Sequence, residues 1–252
     1  MGILRGGLVT TVCVLLFTSL LVGNVLMTFD LSLDYENVQP ELRNIMMDFL
    51  QDTDIFEELE ASYPDLVFFC ESNSEYAFSE EGINYVVPCD VISQGSEEVL
   101  DKLVTDMIEE VYYKEYDCGF FDCIGEEEQP LFLISEHAKN YWAGKFYLAL
   151  VISIVLIAVL FFLVEVKSNA LVITGALLMV SSLPFMKIKG ILSFFNKSFL
   201  QYIAIFFNQA FTVFLRVFIF GLFVLGAGIL WKFFAVGFKI SDLVSKFKSK
   251  KK

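Results

Sequence analysis

The sequence predicts an α-helical membrane protein: four transmembrane helices, with a small α+β, disulfide-stapled ectodomain between the first and the second. Three observations predict it. Asp30 to Lys139 holds 29 of the 31 acidic residues and only four basic ones, Arg43, Lys102, Lys114 and Lys139, a net of −25, while the rest of the chain is +12. The basic part is also the apolar part, with long uncharged runs. Four of the five cysteines lie in the acidic part.

The apolar runs set the spans. Gly6–Phe29 is 24 uncharged residues, and Phe146–Val164 and Ser168–Met186 are 19 each. A helix rises about 1.5 Å per residue, so each run crosses a hydrocarbon core of about 30 Å. The first run, behind Arg5, also has the general shape of a signal peptide. It exceeds the usual h-region of about 7–15 residues, and Val25-Leu26-Met27-Thr28-Phe29 is bulky where a cleavage site needs small side chains. It therefore reads as an uncleaved anchor, residues 1–29.

The acidic domain, residues 30–143, is long enough for one small core. Leu42, Ile45, Met46, Phe49, Leu50 and Phe56 follow helical spacing after Pro40, which suits a first helical turn. Val99, Leu100, Leu103, Val104, Met107, Ile108, Val111 and Tyr112 make a second apolar face. Ser96 is its expected cap, and Glu97 and Glu98 suit the positive end of the helix dipole. Leu66–Cys70 and Ile83–Val87 read as short strands, with Glu80-Glu81-Gly82 as the turn before the second. Ser135 reads as the cap of a helix that continues past His137 into the second span.

An even cysteine set in one acidic segment points to two disulfides in an oxidising exterior. Three connectivities exist; Cys70–Cys89 with Cys118–Cys123 is preferred because each closes a local loop. Cys13, inside the first run, reads as a small hydrophobe. Zinc is the competing reading, but no CxxC spacing occurs and His137 is the sole histidine.

The membrane part, residues 144–238, carries the remaining spans. The lysine-rich tail, residues 239–252, includes Lys246, Lys248, Lys250, Lys251 and Lys252, which by the positive-inside rule puts the C-terminus in the cytoplasm. Arg5 puts the N-terminus there too. The acidic domain is then external, and Glu165-Val166-Lys167-Ser168-Asn169 is a cytoplasmic turn. Tyr141, Trp142 and Tyr147 suit an outer aromatic belt. Lys187, Lys189 and Lys197 fall on the outer side, against the rule. Gly190–Asn208 reads as an interfacial amphipathic helix, and the last crossing as Phe211–Phe234. A hairpin at Arg216 is implausible, since antiparallel helices need a loop of about 2–5 residues. The tail after amphipathic Phe233–Phe247 reads either as lying on anionic lipid, worth about 1 kcal/mol per lysine, or as a disordered segment that only sets the topology, and the two are not exclusive.

Catalytic and cofactor motifs are missing: no GxSxG, HExxH, Walker loop or GxGxxG occurs. The chain reads as non-enzymatic and cofactor-free. His137 reads as a surface or belt residue. Asp52-Thr53-Asp54 and Glu126-Glu127-Glu128 offer oxygen ligands for calcium, but neither matches an EF-hand loop. A net of −25 predicts weak divalent-cation association and argues against nucleic acid. The intramembrane polar residues Asn208, Thr212 and Arg216 recur at intervals of four. Arg216 reads as an interfacial anchor, with a pathway role as the alternative, and Asn208, Gln209 and Thr212 as hydrogen-bonding to neighbouring helices.

Tyr112-Tyr113-Lys114-Glu115-Tyr116-Asp117-Cys118 with Cys123, and Ser181-Ser182-Leu183-Pro184-Phe185-Met186-Lys187, resemble stretches of uncharacterised multi-pass membrane proteins of archaeal genomes. The resemblance implies no activity. The functional expectation is an integral membrane protein whose acidic ectodomain binds an external protein partner or serves an envelope assembly. A channel or transporter subunit is the alternative.

Overall fold

The computed structural model describes residues 3–51, 54–80, 83–125, 130–188, 190 and 203–249. Four of its helices are long and apolar enough to cross a membrane, over Leu4–Ser32, Glu136–Leu163, Lys167–Lys187 and Ile203–Phe234. The chain divides into two compact units. One comprises Met1–Asp30, Trp142–Leu200 and Phe206–Lys252; the other comprises Leu31–Tyr141 and Gln201–Ile205.

The first unit is built from α1 (Ile3–Ser32), α7 (Glu136–Leu163), α8 (Lys167–Ser182) and α9 (Ala210–Ser249), with a 3-10 turn over Leu183–Lys187. α1 and α7 are apolar around most of their circumference, as helices surrounded by lipid are. Their contacts run antiparallel. Val12 and Leu16 of α1 pack on Leu160 and Val164 at the end of α7, together with Ala170 of α8. Toward the other end, Gly23 approaches Ala149 and Phe29 meets Trp142 edge-on at 5.2 Å.

α8 and α9 are also antiparallel, and glycines let them approach closely. A Cβ on Gly175 would fall 2.5 Å from the Leu225 backbone nitrogen. A Cβ on Gly221 would press on Leu178 and Met179, and one on Gly228 on Leu171 and Val172. Lipid supplies no hydrophobic drive for helices to associate, so this close van der Waals contact is what holds such a pair. Phe185, Ala210 and Phe214 close a second cluster with Val25, Phe207 and Phe218.

The acidic unit contains α2 (Tyr35–Gln51), α3 (Asp54–Cys70), an antiparallel hairpin of β1 (Glu75–Glu80) and β2 (Ile83–Pro88), α4 (Cys89–Ile92), α5 (Ser96–Tyr113), α6 (Phe120–Gly125) and a 3-10 turn over Pro130–Ile134. Its core gathers Leu66, Val87, Ile92 and Val99, with Leu59, Tyr63, Tyr76, Phe78 and Leu103 around them. The pairing Tyr76↔Val87 and Phe78↔Tyr85 fixes the hairpin register. α5 buries Val99, Leu100, Val104, Ile108 and Tyr112 of the face its spacing predicts, with Leu103 and Val111 half-buried at its margins and Met107 exposed.

Several expectations change. Leu66–Cys70 is the last turn of α3, not a strand, because Leu59, Tyr63, Leu66 and Cys70 fall on one helical face and that face meets the core. The first strand is Glu75–Glu80 instead. α2 begins at Tyr35 and carries Pro40 in its interior, five residues past its start; it ends at Gln51, so Phe56 belongs to α3. Gly95 precedes α5 at φ 145°, which displaces Ser96 into the helix and leaves no side-chain cap. Glu81 and Gly82 of the expected turn lie outside the described residues. So does most of the expected interfacial helix Gly190–Asn208, of which residues 203–206 are helical and lead through a turn into α9. α9 runs unbroken through Arg216 and beyond Phe234 to Ser249.

Candidate functional site

The acidic domain is stapled at two places. Cys70–Cys89 joins the end of α3 to the start of α4, with Cα atoms 5.4 Å apart, and Cys118–Cys123 closes the loop into α6, with Cα atoms 5.6 Å apart. Both bridges have the preferred local connectivity. Cys13 is free and half-buried, packed against the cluster of Val12, Leu16 and Leu160, as a small hydrophobe in an apolar run would be.

Side-chain bonds tie the domain's layers together. The Tyr63 hydroxyl donates to the Ile92 carbonyl at 2.5 Å, and the Tyr112 hydroxyl to the Leu33 carbonyl at 2.8 Å. Arg43 pairs with Asp101, Lys102 with Asp106 at 2.5 Å, and Lys139 with Asp34 at 3.2 Å. Each is partly exposed, so each contributes at most about 1 kcal/mol. Three of the domain's four cations are thereby engaged, and the fourth, Lys114, lies 5.8 Å from the Tyr116 ring centre. The domain's surface is thus an anionic field with its own cations committed.

That field reaches the tyrosines. Burial, then a hydrogen bond to Glu110 and its charge, push Tyr85 up to about 12. Burial, then the charges of Asp34 and Glu136, push Tyr112 higher still. His137, expected at the surface or in a belt, is half-buried with its ring against Phe132 and Tyr116. Among the described residues no group of three His, Cys, Asp or Glu side chains is placed to hold a metal. Glu126-Glu127-Glu128 and Asp52-Thr53 lie outside those residues, and of Asp54 only the backbone is described.

In the membrane unit, polar side chains bond within the helix bundle. Ser19 and Ser153 share a hydrogen bond of 2.9 Å between α1 and α7, and Asn24 Nδ2 donates to Ser181 Oγ at 3.3 Å between α1 and α8. Thr28 donates to the Asn24 carbonyl, Ser181 to Leu178 and Ser182 to Met179. On the exposed face of α1, Thr10, Thr11 and Thr18 donate to carbonyls one turn back. This is how a hydroxyl is satisfied where water is absent. None of these residues was expected to bond in this way; a serine or threonine inside an apolar run was the available signal.

α7 is capped at both ends. Ser135 Oγ accepts from the Ala138 amide at 3.3 Å, the expected cap. At the other end, Lys167 Nζ donates to the Phe161 and Val164 carbonyls, and Arg5 Nε donates to the Leu163 carbonyl at 2.8 Å. Two cations thus satisfy the last carbonyls and the negative end of the helix dipole.

Of the three intramembrane polar residues, Thr212 and Arg216 are four apart on α9 and share one of its faces. Asn208 lies in the turn before α9. Thr212, expected to bond a neighbouring helix, donates to Gln209 Oε1 at 2.9 Å across the first turn of its own helix. Arg216 is exposed on α9 among exposed Leu215, Ile219 and Phe220. Comparison with protein-family models, curated proteins and solved structures finds no match.

Proposed function

We propose that the chain is a multi-pass integral membrane protein, non-enzymatic, that displays its acidic domain outside the cell to bind a protein partner through a cationic surface. Both termini are cytoplasmic in this reading. The observation that carries it is the combination of a net charge of −25 on one disulfide-stapled domain with the engagement of that domain's own cations. Such a field steers a basic partner and repels nucleic acid.

The arrangement at one end of the membrane unit supports the orientation. Arg5 and Lys167 cap α7 there, and Lys232 lies one turn beyond Gly228, which packs on Leu171 and Val172. Cations gathered at one end belong on the cytoplasmic side.

The alternative, a channel or transporter subunit, needs polar groups facing an interior path. Arg216 on an exposed face and Thr212 bonded within its own helix favour the partner-binding reading. Proximity labelling from the acidic domain in native membranes tests it. The expected outcome is enrichment of a basic external protein, lost when acidic residues of α5 are neutralised. Ion flux through purified protein in liposomes, with no partner captured, would replace it with the alternative.

A further inference from the structure

Phe121 is a large apolar side chain, 73% exposed, on the short helix α6 that the Cys118–Cys123 bridge closes. Its neighbours are aromatic. Phe120, buried, stacks on Tyr141 with ring centres 4.0 Å apart and planes within 3°. Phe121 itself meets the Tyr141 edge-on, at 5.9 Å and 82°. The disulfide restrains the backbone that carries this exposed Phe, which lowers the ordering cost of binding a partner there.

α7 indicates which partner. Tyr141 precedes Phe146, the start of the 19-residue uncharged run, by five residues, or about 7.5 Å of helix. The headgroup region on each side of a bilayer is about that thick, since a core of about 30 Å lies in a membrane of about 40–45 Å. Tyr141 also continues a lipid-facing row: Leu148, Ile152, Val155, Val159 and Phe162 recur at helical spacing from it and all are exposed large hydrophobics. Tyr and Trp collect at this level, where a ring can sit between water and lipid.

We infer that the Cys118–Cys123 loop is an interfacial foot: Phe121 lies in the outer headgroup layer of the bilayer beside Tyr141. The inference rests on α7 crossing the membrane. Asp117 and Asp122 lie four residues before and one residue after Phe121 in the chain, so the surface this loop fits is zwitterionic and not anionic.

The test places a tryptophan at 121 (Phe121→Trp) in a chain carrying Trp142→Phe and Trp231→Phe, in phosphatidylcholine liposomes. Nitroxide labels are supplied either at the lipid headgroup or deep in the acyl chain. The expected result is a blue-shifted emission, lost with the headgroup label and largely kept with the deep one. Adding phosphatidylglycerol should weaken that quenching. An emission at the wavelength of a water-exposed indole, unaffected by either label, would overturn the inference; so would a blue shift that neither label quenches, which would mean a protein contact. Ile152→Trp in the same background separates the two premises. Quenching there by the deep label with none at 121 rejects the foot alone, and no quenching at either rejects the crossing. If the tryptophan replacements prevent folding, 4-fluorophenylalanine at 121 in the otherwise native chain, with fluorine relaxation by the same labelled lipids, reads the same outcomes.

Discussion

Arg5 Nη1 lies 2.8 Å from Glu165 Oε1, while Arg5 Nε holds the Leu163 carbonyl, so the start of α1 and the turn after α7 occupy one end of the membrane unit. The ion pair itself is exposed, and contributes at most about 1 kcal/mol. Its weight is geometric, since it fixes which helix ends share a side. With Cys13→Ala removing the free thiol, single cysteines at Ser79 and Ser249 should then report opposite sides to a membrane-impermeant reagent on intact cells. Position 79 should label and position 249 should not. The reverse pattern would invert the orientation proposed above.

The two staples differ in the loop they close. Cys70 and Cys89 are 19 residues apart in sequence, Cys118 and Cys123 only five. The chain-entropy relation assigns about 3 kcal/mol to the first and about 2 to the second. Cys70→Ser with Cys89→Ser should therefore lower the denaturant midpoint of the acidic domain more than Cys118→Ser with Cys123→Ser. It also removes a link from the core, where Leu66 and Ile92 pack beside it. Equal midpoints for the two double variants would defeat the ordering, and non-reducing peptide mapping checks the pairing itself.

Much of this fold was legible because its signals are long. Runs of 19 and 24 uncharged residues leave little alternative to a spanning helix, and Leu100, Val104, Ile108 and Tyr112 repeat a helical period over more than three turns. Short signals misled. Leu66–Cys70 reads as a short strand, but a brief apolar run has no period of its own, and the core contacts of Leu59, Tyr63, Leu66 and Cys70 decide the matter. The true strand hid its alternation of Tyr76 and Phe78 among polar residues. Pro40 suggested a helix start because proline suits a first turn, yet backbone bonds from Asn37 and Val38 to Asp34 begin the helix earlier. The capping of α7 by Arg5 was not legible at all, since it joins residues 158 apart in sequence.

Gly175 is expected to be the least replaceable residue of the α8–α9 pair. Any Cβ there meets the Leu225 backbone, which cannot move aside as a side chain tip would. Gly175→Val should therefore cut the yield of protease-resistant protein sharply, and Leu225→Ala should not restore it. Gly226 has no heavy atom within 4 Å of a Cβ position, so Gly226→Val is the matched control and should leave resistance intact. Equal resistance in the two variants would mean that α8 and α9 are not so closely packed.

Alkaline titration should single out the buried Tyr112 and the half-buried Tyr35, Tyr85 and Tyr116. Tyr85 is raised from 10.0 to about 12, and Tyr35, Tyr112 and Tyr116 are raised as well. A raised folded value means that the folded state holds its proton where the unfolded state loses it. Stability is then unaffected below pH 10.0, falls as pH rises above it, and is lost through about 12. Tyrosinate absorbance should show a late group of tyrosines that ionise with the loss of near-ultraviolet circular dichroism. Glu110→Gln should bring Tyr85 down toward its ordinary value and shift that late group to lower pH. A titration complete near pH 10 in folded protein would contradict the burial of these rings.

Arg216 is expected to anchor α9 and not to carry ions. It precedes Lys232 by 16 residues, about 24 Å of helix, so if Lys232 lies at one boundary of a core of about 30 Å, Arg216 is about 6 Å inside the other. An arginine side chain spans that distance and reaches the headgroups. Its exposed setting among Leu215, Ile219 and Phe220 suits a charge that leaves the bundle and does not line its interior. Arg216→Lys should be nearly silent, because an ammonium snorkels as well as a guanidinium. Arg216→Leu should lower the yield of inserted protein or shift the helix, without changing conductance. Reconstituted liposomes supply the measurement. A reproducible ion or proton flux, abolished by Arg216→Leu in correctly folded protein and kept by Arg216→Lys, would sink the anchor and bring the transporter alternative forward.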